Sequence, residues 1–371
     1  MFSKLVVEVK LTIPLPVHRF SLVFEADAAS TEAAATPAFA GNAWRGALGH
    51  SLRALACLTG AAACDGCFKK PQCAYNYLWE TPPPPDATRM RLYPQAPHPF
   101  VLRVLEPDAK ERQLSAGQPK MAAGADNAGN KRTLLLLTLV GRAEALLPLL
   151  VQALAVAARS EYGVAGQQHQ LCEVRQEQTL GALDWLRIDG KAGLLSPQPG
   201  AAAVVPPAPP ASAGPLRLLL HTPLRIKREG RAIAPQDLVF ADFFGSLLRR
   251  ISMLCAFHTS SPLEAPFAEL MQKARLVAMQ KSELSWERQQ RFSNRQKQAM
   301  KMDGLVGWFE LNAADVADFW PYLWLGQFVH AGSAATMGLG CYLLAAPSAV
   351  ELAPPGLVHR PASLPTITAA A

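Results

Sequence analysis

Cys57, Cys64, Cys67 and Cys73 put four soft ligands between residues 57 and 73, and the central pair has the C-x2-C spacing of a metal knuckle. Four thiolates can close a tetrahedral structural zinc site, whereas a catalytic zinc keeps one position open for water and does not suit a complete four-cysteine shell. An iron–sulfur cluster takes the same ligands, and reduced cysteines without a metal are the third reading of this spacing. Cys172, Cys255 and Cys341 lie in apolar surroundings and read as core residues.

Proton transfer near neutral pH calls for a histidine. Trp44, Leu48, Leu52 and Leu55 recur at helical spacing as one apolar stripe, with Asn42 as a suitable N-cap. On that wheel His50 projects away from the stripe, on the side of Gly46 and Arg53, which makes it the candidate for moving a proton. Cys57 follows two turns later on roughly the same side, so support of a metal site is one alternative and a plain surface histidine the other. His18, His98, His221 and His330 have weaker cases, and His258 continues an apolar helix and reads as structural.

Arg288, Arg291, Arg295, Lys297 and Lys301 form a basic run with no acid among residues 288–301. In a strand, Arg291, Arg295 and Lys297 share a face with Ser293, a surface complementary to a phosphate backbone. Arg225, Lys227, Arg228 and Arg231 add a second cluster; a solvated charged face is the competing reading of both. Trp286 and Phe292 could stack bases or fill a core. Gly332, Gly338 and Gly340 lack the spacing and the Lys-Ser/Thr ending of a nucleotide P-loop, so ATP hydrolysis gains no support. Glycines there serve either a tight turn before a strand or close approach of a phosphate to backbone N–H groups.

The elements that must position these residues follow from patterning over 371 residues, a length that suggests two domains. Half the residues are apolar and 18% charged, which excludes a disordered chain, and 36 Lys+Arg against 29 Asp+Glu leave a net charge of +7 that hints at a polyanionic partner. Residues 4–25 alternate as a strand, a helix begins near Asn42, and 57–99 reads as a cysteine- and proline-rich insertion. Strands follow at 100–105 and 133–140, a helix at 143–161, and further β structure at 171–187. Arg142, Glu144 and Pro148 interrupt the most lipid-like stretch, so no membrane span is expected, nor a secretory leader, and the cytoplasm is the expected compartment. Residues 197–215 carry no charge and are dense in Pro and Ala, which marks a linker. Beyond it a strand over LRLLLHTPLRIK, a helix at 236–258, a β or helical segment at 271–283, a hairpin over 286–312 turning at Met302-Asp303-Gly304, a short helix at 313–325 and a final strand restart the pattern. The expected fold is α+β, two tandem ferredoxin-like domains over 1–196 and 216–350, the first carrying the cysteine-rich insertion, with a loose tail at 351–371.

FAGNAWRGALGHSLRALAC, the cysteine segment running into YNYLWETP, PHPFVLRV, HTPLRIK, WERQQRFSNRQKQAMKMDGLVGWFEL and GQFVHAGSAATMGLGCYLL together resemble the CRISPR repeat-processing endoribonucleases, the Cas six group of the RAMP superfamily, in a longer form with a cysteine cluster. The resemblance spans about residues 1–345 and implies twin ferredoxin-like (RRM-like) domains that bind repeat RNA and cut precursor CRISPR RNA into guides. It also implies a metal-independent reaction in which the RNA 2′-hydroxyl attacks the adjacent phosphate, leaving a 2′,3′-cyclic phosphate. The matching catalytic histidine is His50, with Arg45 or Arg53 as phosphate stabiliser, and zinc only as a structural ion in the cysteine cluster. The closing loop departs from the family: Ser333 follows His330-Ala331-Gly332 where a lysine is common, which shifts weight to Arg291, Arg295 and Lys297. A non-cleaving RNA-binding subunit among other Cas effector subunits is the runner-up, and a zinc-stabilised interaction module the third reading.

Overall fold

Alternation along VHRFSLVFEA sends Phe20, Leu22 and Phe24 to one face of strand β1 (Val17–Ala26) and Arg19, Ser21 and Val23 to the other. In the computed structural model, which describes residues 12–27, 40–61, 63–83, 96–105, 132–190, 194–209, 214–288, 290–293 and 298–345, β1 is the centre of an antiparallel sheet. Its neighbours are β2 (Phe100–Leu105), β3 (Arg132–Val140), β4 (His169–Glu177) and the short β5 (Trp185–Arg187), in the order β2-β3-β1-β4-β5. Helices α1 (Ala40–Ala56) and α2 (Leu147–Arg159) cover one face, where Trp44, Leu48, Leu52, Leu147, Leu150 and Leu154 meet Phe20, Leu22 and Phe24. The βαββαβ order and the placing of β4 beside β1 make this a ferredoxin-like unit.

The pattern repeats from β6 (Pro215–Leu224) onward. After the small ribbon β7 (Lys227–Arg228) and β8 (Arg231–Ala232) come α3 (Phe240–His258), α4 (Phe267–Leu276), β9 (Lys281–Glu287), the hairpin β10 (Gln290–Ser293) and β11 (Gln298–Lys301), β12 (Gly304–Asn312), α5 (Trp320–Val329) and β13 (Tyr342–Ala345). The second sheet runs β13-β6-β12-β9, the same arrangement with its fourth strand beside its first. Phe240, Phe243, Phe244, Leu247, Ile251 and Leu254 line α3 at helical spacing and are buried against Phe309, Phe319, Tyr322 and Tyr342.

Several boundaries differ from the sequence reading. Helix α1 starts at Ala40, two residues ahead of Asn42, and Leu55 is 41% exposed because the apolar stripe ends at Leu52. Of the strand expected over 4–25, residues 4–11 lie outside the described residues, while Ile13 bridges Val204. The 286–312 hairpin turns beyond Ser293 and not at Met302-Asp303-Gly304, because β10 and β11 pair as an extension of β9 and β12. The Pro/Ala segment is partly strapped down: Val204 is buried and the Pro207 carbonyl accepts the Trp320 indole N–H at 2.8 Å. Gly141–Arg159 is the one helix among the described residues long and apolar enough to cross a membrane, and it lies on the first sheet with Leu147, Leu150 and Leu154 buried. The tail at 351–371 lies outside the described residues.

Polar contacts pin the two halves. His258, at the end of α3, donates from Nε2 to the Pro97 carbonyl at 2.6 Å and accepts the Tyr77 hydroxyl at Nδ1, 3.2 Å away. A carbonyl can only accept, so these two bonds fix the neutral Nε2–H tautomer. Burial pushes the His258 pKa down to about 4 despite the bond to Pro97. Gly141, at φ +58°, faces the His258 carbonyl so closely that a Cβ would fall 2.2 Å from it.

Candidate functional site

α1 presents His50 to solvent; among the described residues it is the one histidine with an exposed side chain. One helical turn to either side lie Gly46 and Ala54, both small and exposed, so these two neighbours leave the imidazole accessible. The short 3-10 turn Ala335–Met337, inside the glycine-rich loop, packs against both α1 and β2, which brings the loop of the second domain to the helix that carries His50.

The two flanking arginines have different surroundings. Arg45 is half-buried, with its guanidinium 4.1 Å from the Trp79 ring centroid and 3.3 Å from His98 Nε2. Because Arg45 can only donate, His98 Nε2 accepts and its Nδ1–H goes to Thr81 Oγ1 at 2.7 Å. Burial, followed by the charge of Arg45, pushes the His98 pKa down to about 3. Trp79, His98 and Phe100 stack in sequence, so Arg45 is a structural member of an aromatic pile as well as a charge. Arg53, one turn after His50, donates to the Ala61 carbonyl at 2.7 Å and so ties α1 to the cysteine loop. Of the two, Arg53 is the one on the His50 side of the helix.

The basic residues divide similarly. Arg225 turns inward: its Nε donates to the Asp303 carbonyl at 3.0 Å while its own carbonyl accepts the Ser333 amide at 2.9 Å. Arg228 is paired with Asp242, in the first turn of α3, and also donates to the Asp237 carbonyl, so a phosphate there would compete with these partners. Lys227, Arg231 and Arg288 are exposed. Arg291 and Ser293 occupy alternate positions of β10, opposite Met300 and Gln298; Arg295 and Lys297 lie outside the described residues.

Two of the three expected glycine contacts are already engaged within the protein. The Gly338 amide donates to the Ala335 carbonyl and the Gly340 amide to that of Pro223, so neither is offered to a phosphate. Both, like Gly332, have positive φ, and a Cβ at Gly340 would fall 1.8 Å from the Ala331 oxygen. These glycines let the loop close on itself and on β2, where a Cβ at Gly338 would stand 3.0 Å from the Leu102 oxygen.

Cys57, Cys64, Cys67 and Cys73 are half-buried, without disulfides, and share one loop. Thr59 Oγ1 stands between two of the sulfurs, 3.7 Å from Cys57 Sγ and 3.8 Å from Cys67 Sγ. Among the described residues no three Cys, His, Asp or Glu side chains form a group positioned to hold a metal, so a zinc ion would have to draw these thiols together. The end of the expected insertion is not peripheral: Tyr75 and Leu78 are buried in the first core and Trp79 packs on Gly49.

Sequence reasoning passed over several polar residues. Arg19 is buried and bonded to Glu177 at 2.7 Å, and Arg217 lies over Trp308 and pairs with Glu310. Arg103 is buried in an otherwise apolar strand, FVLRVL, and that lone cation was the available signal.

Two ferredoxin-like units in tandem define the class of this protein. Residues 218–342 match the family model of the CRISPR-associated endoribonuclease Cas6, and residues 15–198 match one described as the AF_1859 N-terminal domain. Over residues 218–342 the chain is thus similar to the Cas6 domain. A solved Cas6 product complex shares the fold at 15% identity and a TM-score of 0.51, over 89% of this chain and 100% of that one. A Thermus thermophilus Cas6 is similar at 15% identity and a TM-score of 0.45, covering 89% of this chain and 99% of that one. A partial Cas6-RT-Cas1–Cas2 complex is similar at 13% identity and a TM-score of 0.47, covering 90% of this chain and 46% of that one. No curated protein matches the chain in sequence.

Proposed function

We propose that the protein is a metal-independent endoribonuclease that binds the repeat of precursor CRISPR RNA and cuts it by attack of the 2′-hydroxyl on the adjacent phosphate. The observation that carries this reading is the exposed His50 on α1, the helix against which the glycine-rich loop packs, within a chain whose residues 218–342 match the Cas6 domain. The reaction needs one proton removed from the 2′-oxygen, one given to the departing 5′-oxygen, and charge stabilised on the phosphorane. His50 serves as general base or acid and Arg53 is the nearer source of positive charge, while Arg45 mainly orders the helix. Arg288, Arg291, Arg295 and Lys297 on and around the β10–β11 hairpin supply phosphate contacts, and Lys227 and Arg231 extend them. Zinc, where bound, would be held by Cys57, Cys64, Cys67 and Cys73 as a structural ion away from the reacting atoms.

The test is incubation of the purified chain with its own repeat RNA in EDTA, followed by mapping of the ends. A single cut leaving a 2′,3′-cyclic phosphate is the expected result. A shifted but intact RNA would make the protein a binding subunit, which is the outcome favoured by Ser333 standing where the family's loop often carries a cation.

A further inference from the structure

The seam between the two domains holds a guanidinium that none of the described residues neutralises. Arg103 lies on edge strand β2 opposite Leu136, on the face of the first sheet that also carries Arg19 and Thr138 and that α1 and α2 leave uncovered. The residue is 8% exposed, and among the described residues no carboxylate or hydrogen-bond acceptor is paired with it. The nearby carboxylate of Glu177 is already committed, with one oxygen to Arg19 at 2.7 Å and the other to the Leu183 amide at 3.0 Å. Burying a cation is costly unless something supplies the opposite charge.

The glycine loop sits directly on this residue. A Cβ at Gly338 would be 3.3 Å from Arg103 Cα, and the Gly338 carbonyl is held by Thr222 Oγ1 at 2.7 Å. His221, the residue before Thr222, comes from the second domain and lies within reach of the Arg103 charge. Its Nε2 is buried and makes no hydrogen bond, an orphaned polar atom beside an unpaired guanidinium. The Arg103 nitrogens, by contrast, are not fully closed off from solvent. Burial first, and then the charge of Arg103, holds His221 neutral with a pKa of about 3, which leaves its ring able to donate one N–H without adding repulsion.

We propose that Arg103 and His221 form a seat for one phosphate group, placed where the glycine loop crosses the domain seam. A phosphate oxygen would satisfy the guanidinium in the two-pronged geometry that arginine offers and would take the imidazole N–H as well. On the function proposed above, which this inference deepens, the occupant is a backbone phosphate of the bound repeat; free inorganic phosphate has the same chemistry.

The full-length chain is melted in chloride and in inorganic phosphate at matched ionic strength, and its affinity for repeat RNA is measured, for the wild type, Arg103→Met, Arg103→Lys and His221→Phe. Phosphate is expected to raise the wild-type Tm above its value in chloride. Arg103→Met should lose that increment without melting lower in chloride, because it removes an uncompensated buried charge, and should bind RNA about 10–100-fold more weakly, the worth of a charged hydrogen-bonded contact. Arg103→Lys should keep part of both effects, and His221→Phe should lose part of both. Loss of the phosphate increment with unchanged RNA affinity would support the seat and assign it to the free ion. A wild type protected by phosphate that binds no repeat RNA would support the seat and remove the proposed function instead. Arg103→Met with wild-type phosphate protection and wild-type RNA affinity would overturn the seat, as would a lower Tm in chloride with RNA affinity intact, which would make Arg103 structural.

Discussion

The indole of Trp79 fills the space that a side chain at Gly49 would need: a Cβ there would lie 2.3 Å from the ring. Gly49 precedes His50, so the aromatic pile of Trp79, His98 and Phe100 seats the helix turn that carries the candidate proton carrier. Gly49→Val is expected to cost about 1–3 kcal/mol through overpacking. Urea unfolding would measure it; an unchanged midpoint would show that Trp79 does not set the position of this turn.

His50→Ala should slow repeat cleavage by about 10²–10⁴-fold, the range of general acid–base catalysis, with RNA affinity nearly intact. Single-turnover cleavage beside an equilibrium binding curve separates the two effects. A wild-type rate would take His50 out of the chemistry.

Replacing Arg291, Arg295 and Lys297 together by alanine should instead weaken binding. The slope of log affinity against log salt should fall by about 0.7–0.9 for each phosphate contact removed. An unchanged salt slope would show that the β10–β11 hairpin does not touch the RNA backbone.

Acid should loosen the seam. His258 and His98 have native pKa values pushed down to about 4 and about 3, against an ordinary value of 6.5, so below pH 6.5 the unfolded chain takes up protons that the folded one refuses. Their stabilising contribution is complete above pH 6.5 and declines as pH falls toward 4, at up to about 1.4 kcal/mol per unit for each histidine. Protonation at His258 Nδ1 also removes the acceptor for the Tyr77 hydroxyl. Unfolding midpoints that stay level between pH 7 and pH 5 would contradict this.

The cysteine loop yields a separate prediction. Purified protein is expected to carry about one zinc per chain, and Cys64→Ser combined with Cys67→Ser should release it and lower the Tm while leaving the cut position in the RNA unchanged. Elemental analysis that finds no metal on the wild type would dispose of the zinc.

Much of the fold was legible because its signals are local. Period-two alternation marked β1 and β6, short apolar runs marked β2 and β3, and the Phe240–Leu254 stripe marked α3, since each of these signals lies within the element that it forms. His50 was legible for the same reason, standing on the polar side of a clear apolar stripe. Pairings between distant residues were not: nothing around Arg228 announces Asp242, and nothing around Gly338 and Gly340 shows that their amides meet Ala335 and Pro223. A residue of the right chemical type can be found in a sequence, but whether its charge or N–H is still on offer depends on what the fold has placed beside it.

Arg225 joins two parts of the molecule that a long ligand would reach separately. Its guanidinium holds the chain at Asp303, where the β10–β11 arm rejoins the sheet, and its carbonyl holds Ser333 at the start of the glycine loop. Tension applied to the arm is therefore delivered to the loop through one side chain and one peptide unit.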